Sequence, residues 1–158
     1  MRDHSYDDLI CFAFYRGWRL IQEVYEDVLE GEATPQRLYV MGACRAEPRH
    51  VGDLARLLRI DSSAISNLVR RLERDGHVSR RRADGDGRGV QVSLTDAGRA
   101  FLAERDERID EIDVRLASDI PKAERAALLG VVRRLAAMTG DAGQAPTPGA
   151  GTMTSVQA

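Results

Sequence analysis

A mainly helical fold carrying one small β-hairpin is what this sequence of 158 residues predicts. Most of the chain repeats its apolar residues at helical spacing, while "HVSRR" and "VQVSL" alternate with period two around the glycine-rich "ADGDGRG". The hairpin follows directly on two short amphipathic stretches joined by a tight turn, the order of a winged helix-turn-helix. The composition, 43% hydrophobic, is enough for a core. No run of about 18 apolar residues predicts a membrane span. The first residues, "MRDHSYDDLI", are too acidic for a signal peptide, so a cytoplasmic location is expected.

Each element has its own signal. Ser5, followed by Asp7 and Asp8, reads as a helix start, with acids near the positive end of the dipole. Ile10, Phe14, Ile21, Val24 and Val28 then predict one helix over residues 8–29, which "EGEA" breaks. Thr34 and Pro35 supply the N-cap and first turn of a second helix, running to about Cys44. "VGDLARLLRI" predicts a short third helix, and "RIDS" a turn. "SAISNLVRRLERDG" predicts a fourth, with Ile65, Leu68, Val69 and Leu72 as its core stripe and Gly76 as its stop. After the hairpin, Thr95 opens one long charged helix, "TDAGRAFLAERDERIDEIDVRLA", whose apolar residues are Phe101, Leu102, Ile109, Ile112 and Leu116. Pro121 opens the last helix, "PKAERAALLGVVRRLAAM". Residues 140–158 cannot bury a core and are expected to form a disordered tail.

Charge is unevenly spread along the chain. Residues 1–48 carry −4, residues 49–100 carry +4 and the remainder −2. The basic third is also the helix-turn-helix and hairpin. With Ile65, Leu68, Val69 and Leu72 assigned to the core, the other face of the fourth helix carries Ser62, Ser63, Ser66, Asn67, Arg70, Arg71 and Arg74. Small hydroxyl and amide groups near a helix start can approach base edges in a major groove; arginines further along can reach phosphates or guanine. Arg80, Arg81 and Arg82 lie at the base of the wing, where they can meet a phosphate backbone, and Arg88 lies near its tip. Double-stranded DNA is therefore the expected partner.

The segment "GDLARLLRIDSSAISNLVRRLERDGHVSRRRADGDGRGVQVSLTDAGRAFL" resembles the DNA-binding core of the MarR family of bacterial transcriptional regulators. The pattern Asp86-x-Arg88, Val90, then Leu94-Thr95-x-x-Gly98 carries the resemblance, which extends over roughly residues 5–139. It implies an intertwined helical homodimer, usually a repressor, on an inverted-repeat operator. Residues 5–45 and 100–139 would form the dimerisation region and residues 49–99 the DNA-binding region. It also implies that Arg88 reaches the minor groove and that Asp86 orients it. Gly87 departs from the pattern, since many members carry a second arginine there.

A narrower resemblance joins "LICFAFY" to the organic-hydroperoxide-sensing branch, the OhrR-type regulators. It matches Cys11 to the sensor cysteine, and Tyr15 and Tyr25 to the tyrosines that hydrogen-bond it. The helical wheel places Cys11, Tyr15, Trp18 and Tyr25 on one face. A thiolate there would be oxidised by peroxide to a sulfenic acid, and the enlarged polar group would shift the dimer. Asp7 and Asp8, one turn earlier, oppose a thiolate. The alternatives are an unreactive Cys11 packed in an interface, a small aromatic or lipophilic ligand lodged near Trp18, Tyr25, Tyr39 and Met41, and a regulator with no chemical input. Cys44 reads as a packed apolar residue, and His77 as packed or phosphate-facing. No HxxxH, CxxC, P-loop, GxGxxG or nucleophile–base pattern is present, so neither an enzyme nor a metal or other cofactor is expected.

Overall fold

The computed structural model describes Tyr6, residues 9–82 and residues 89–139. Among the described residues, seven helices and three short strands follow one another: α1 (Ile10–Leu29), α2 (Pro35–Ala43), β1 (Arg49–His50), α3 (Val51–Leu58), α4 (Ser62–Arg74), β2 (Val78–Arg82), β3 (Val90–Leu94), α5 (Asp96–Ala103), α6 (Asp106–Ser118) and α7 (Lys122–Met138). None of the described helices is long and apolar enough to cross a membrane.

Local chemistry explains most boundaries. Glu30 (φ 51°) and Gly31 (φ 74°) turn left-handed and stop α1, as "EGEA" predicts. Thr34 accepts the Arg37 N–H at 3.4 Å with Pro35 opening α2. Asp61 caps α4 by accepting the Ser63 N–H at 2.7 Å, and the Ser63 hydroxyl, followed by that N–H, holds its carboxyl below the usual range. Gly76 (φ 79°) ends the turn after α4. The hairpin β2–β3 is antiparallel, with Val78 opposite Leu94 and Arg80 opposite Val92.

The structure corrects three expectations. α1 starts at Ile10 after Leu9, with no side-chain cap and no acid in its first turn; Ser5, Asp7 and Asp8 lie outside the described residues. The sheet gains a third strand, β1, on the far side of β3, giving the order β1-β3-β2. The long charged helix after Thr95 is two helices, broken at Glu104 and Arg105. No glycine or proline marks that break. It sits where Arg105 stacks on Phe101, 3.7 Å from the ring centroid, and bonds Glu32 at 2.7 Å.

One core joins the elements. Leu54 of α3, Ile65, Val69 and Leu72 of α4, and Val92 of β3 are all fully buried, together with Leu29, Val40 and Met41. Leu68 is the one member of the predicted α4 stripe that is only partly buried. Cys44 is buried as well, and burial pushes its thiol up to about 11, so it stays protonated and inert at neutral pH. Further out, Arg108 of α6 donates to the Val28 carbonyl at the end of α1, tying α6 to that end.

His77 packs at the start of the wing, its ring 4.4 Å from Phe101. Burial, then the positive charge of Arg37, holds its pKa below the ordinary value, with Asp75 opposing. The fold therefore favours the neutral ring. Its contribution is complete above the unfolded value of about 6.5 and is lost as pH falls below it, because the unfolded chain takes the proton first. We expect the urea midpoint to drop between pH 7.5 and 5.5, and to drop less in His77→Phe. Equal drops in the two proteins would show that His77 does not supply the dependence.

Candidate nucleic-acid interface

The outer face of α4 is open along its length. Ser62, Ser63, Asn67, Arg70, Arg71 and Arg74 are exposed and Ser66 half-buried, while the opposite stripe is sealed in the core. Four of these residues already have local partners. The Ser63 hydroxyl donates to Asp61 at 2.5 Å, so Ser63 serves the cap. The Ser66 hydroxyl donates to the Ser62 carbonyl at 2.7 Å, a turn back along the helix. Arg70 donates to Asn67 Oδ1 at 2.9 Å, which holds the two as one unit and leaves the amide N–H₂ of Asn67 to offer elsewhere.

The wing arginines divide between two faces. Arg80 and Arg82 share the face of Val78, and Arg81 takes the other. Arg80 is committed inward: its guanidinium bonds Glu73 of α4 at 2.6–2.7 Å, and this pair holds the Glu73 carboxyl below its usual range. Arg80 thus braces the wing against α4. Arg81 and Arg82 remain exposed. Asp86 and Arg88 lie outside the described residues.

Of the tyrosines assigned to Cys11, Tyr15 lies one turn away on α1, but Tyr25 is not brought near it within one chain. Cys11 is exposed in the first turn of α1. Tyr15, one turn on, is 60% exposed and stacks with Phe12 at 6.3 Å. Tyr25 lies 14 residues from Cys11 on the same helix, about 21 Å along its axis. It pairs instead with Tyr39 of α2, ring centroids 6.4 Å apart, and burial followed by the Tyr39 hydrogen bond raises its pKa. Met41 is fully buried in the core and so lines no cleft of this chain. A residue the sequence reading passed over is Arg37, which reaches from α2 to Asp75 behind α4 at 2.6 Å. Its only signal was position in the first turn of a well-capped helix, which says nothing of a distant partner.

The model of the MarR family matches residues 34–89, from the start of α2 into the wing. The HTH-type transcriptional regulator TtmR of Methylorubrum extorquens is 35% identical over 104 residues, 65% of this chain; the matched part spans about half of TtmR, 53% of its length. The organic hydroperoxide resistance transcriptional regulator of Bacillus subtilis is 29% identical over 106 residues, 65% of this chain and 71% of that protein. The crystal structure of a cysteine-to-serine mutant of E. coli MarR complexed with operator DNA superposes with a TM-score of 0.72, covering 84% of this chain and 99% of that one at 20% identity. With the winged helix-turn-helix in place, residues 34–89 match the MarR family, and the chain is similar in sequence and fold to MarR-type transcriptional regulators.

Proposed function

We propose that the protein is a transcriptional repressor that binds an inverted-repeat operator as a homodimer, with α4 in the major groove and the wing on the flanking backbone. The observation that carries this reading is the division of α4: Ile65, Val69 and Leu72 fully buried, and Asn67, Arg70, Arg71 and Arg74 exposed on the other face. A helix that hides its whole apolar stripe and offers amide and guanidinium groups outward suits base edges and phosphates. Residues 49–99 are the DNA-binding region. Residues 5–45 and 100–139 are the dimerisation region, because α7 buries none of its residues in its own chain and the start of α1 is also uncovered: Ile10, Leu128 and Leu129 are half or more exposed.

Binding is tested by fluorescence anisotropy on duplexes from upstream of the protein's own gene. Asn67→Ala should cost about 1–3 kcal/mol on the preferred duplex and relax its sequence preference. Unchanged affinity and preference would remove Asn67 from the base-reading set.

For the input, oxidation of Cys11 by an organic hydroperoxide is the reading we favour, supported by the exposure of Cys11 and the similarity to the Bacillus subtilis regulator. Since Tyr25 is out of reach along its own helix, this reading requires the α1 of a second copy to bring its tyrosine to Cys11. Hydroperoxide should release wild type from DNA at least tenfold, and Cys11→Ser not at all. Release of both, or of neither, overturns the sensor and moves the input to a small aromatic or lipophilic ligand held between the dimerisation and DNA-binding regions.

A further inference from the structure

A chain of contacts runs behind the recognition helix and contributes nothing to its outer face. Asp75 caps the C-terminal end of α4, where the helix dipole disfavours a carboxylate. Arg37 of α2 offsets this, donating to Asp75 Oδ2 at 2.6 Å, and the same nitrogen lies 3.5 Å from His77 Nδ1 at the root of the wing. His77 packs on Phe101 of α5 at 4.4 Å. Arg105 covers the Phe101 ring at 3.7 Å and bonds Glu32, between α1 and α2, at 2.7 Å. Arg37 and Arg105 are both well covered, with side chains 26% and 15% exposed.

We propose that Arg37 is a positioning residue for DNA binding, holding the end of α4 and the root of the wing in one orientation relative to the helical region through Asp75 and His77. The inference rests on the DNA-binding reading above and adds to it what fixes the angle of α4. A half-buried ion pair is a poor source of stability, since desolvation offsets most of its attraction, but it admits few geometries. Leverage makes the geometry matter. α4 has 13 residues, a length of about 20 Å, so a tilt of about 5° at its held end moves the other by about 2 Å. That displacement is enough to break a base-edge hydrogen bond. The polar groups offered to bases, Ser62 and Asn67, lie in the half of α4 away from Asp75. Arg37 thereby links α2, in the proposed dimerisation region, to the wing root in the proposed DNA-binding region.

The test compares full-length wild type, Arg37→Met, Asp75→Asn and the double variant on two duplexes, one selected from random sequence by the wild type and one unrelated. Affinity is measured across a salt series, with a thermal melt of each protein. Each single variant should lose between about 2- and 30-fold on the selected duplex, and the double no more than either single. Affinity for the unrelated duplex and the salt slope should not change, because the phosphate contacts are intact. A loss shared equally by both duplexes would overturn the proposal in favour of general destabilisation. A salt slope reduced by about one in Arg37→Met would overturn it in favour of a direct phosphate contact. Selective loss in neither single variant, with the melt unchanged, would overturn it outright. Wild type binding no duplex would overturn the DNA-binding reading itself, a result distinct from all of these. Asp75→Asn, at a more exposed position, carries the test if Arg37→Met does not fold.

Discussion

Gly98→Ala is expected to destabilise the protein by about 3 kcal/mol. Gly98 lies in the first turn of α5, directly against the start of the wing. A Cβ built on it would stand 2.0 Å from the His77 carbonyl oxygen and 2.9 Å from its carbon. Both are backbone atoms, so no side chain can swing aside. Nor can the carbonyl retreat cheaply, because it accepts the Thr95 N–H at 3.1 Å. Thr95 in turn donates to the Gly76 carbonyl at 2.6 Å and accepts the Gly98 N–H at 3.0 Å. Gly76, His77, Thr95 and Gly98 thus form one seam that docks α5 on the wing root. The added methyl must open that seam or displace α5. Urea unfolding of the variant checks it, and a midpoint equal to wild type would show that α5 does not sit this close to β2. Gly98 belongs to the pattern Leu94-Thr95-x-x-Gly98 noted in the sequence, and the seam is the physical reason for Thr95 and Gly98.

Much of the fold was legible because its signals are local. Thr34 and Pro35, the α4 stripe, Gly76 and the alternation of β3 each depend on residues within a few positions, and each element stands where they place it. Two of the three errors fall where the cause is distant. A two-residue strand such as β1 has no periodicity to read; it exists because Arg49 and His50 pass beside Val92 and Gln91. The break between α5 and α6 carries no helix breaker, and Arg105 is held there by Phe101 and by Glu32, which is 73 residues away in sequence. Tertiary contacts decide such positions, and helix propensity does not.

The candidate interface was legible as a face and less so as individual groups. Assigning Ile65, Val69 and Leu72 to the core leaves only one face of α4 for a ligand, and that inference needs no structure. Which groups on that face are free is another matter. The bond from Ser63 to Asp61 and the pair of Arg80 with Glu73 are set by cap geometry and strand register. Consecutive strand residues point to opposite faces, so "RRR" cannot act as one patch. The cluster of Cys11, Tyr15 and Tyr25 shows a related limit. Angular periodicity puts them on one face, but rise per residue separates Cys11 from Tyr25 by about 21 Å.

The other large effect is expected at α7. Replacing both Leu128 and Val132 by aspartate should convert the proposed homodimer to monomers and abolish the tight operator binding proposed for it. α7 has 17 residues and none of them is buried in its own chain. Leu128, Val132, Leu135 and Met138 are 50%, 46%, 41% and 81% exposed. Leu128, Val132 and Leu135 are spaced i, i+4, i+7 and form one stripe. In proteins most helical stability comes from packing of an apolar face; a second copy presenting the same stripe would cover that of α7. Burying one leucine or valine contributes about 1.5–3 kcal/mol. Losing two such side chains and burying two charges should weaken association by about 4 kcal/mol or more, about a thousandfold. Sedimentation velocity reads the mass directly, and anisotropy reads operator affinity, which for two half-sites depends on both copies being joined. Because α7 buries nothing in its own chain, the core built on α2 to α5 should remain folded, and the far-ultraviolet spectrum should lose at most the signal of α7. A variant that stays dimeric at micromolar concentration would show that α7 is not the joining surface, and the search would turn to the exposed face of α1.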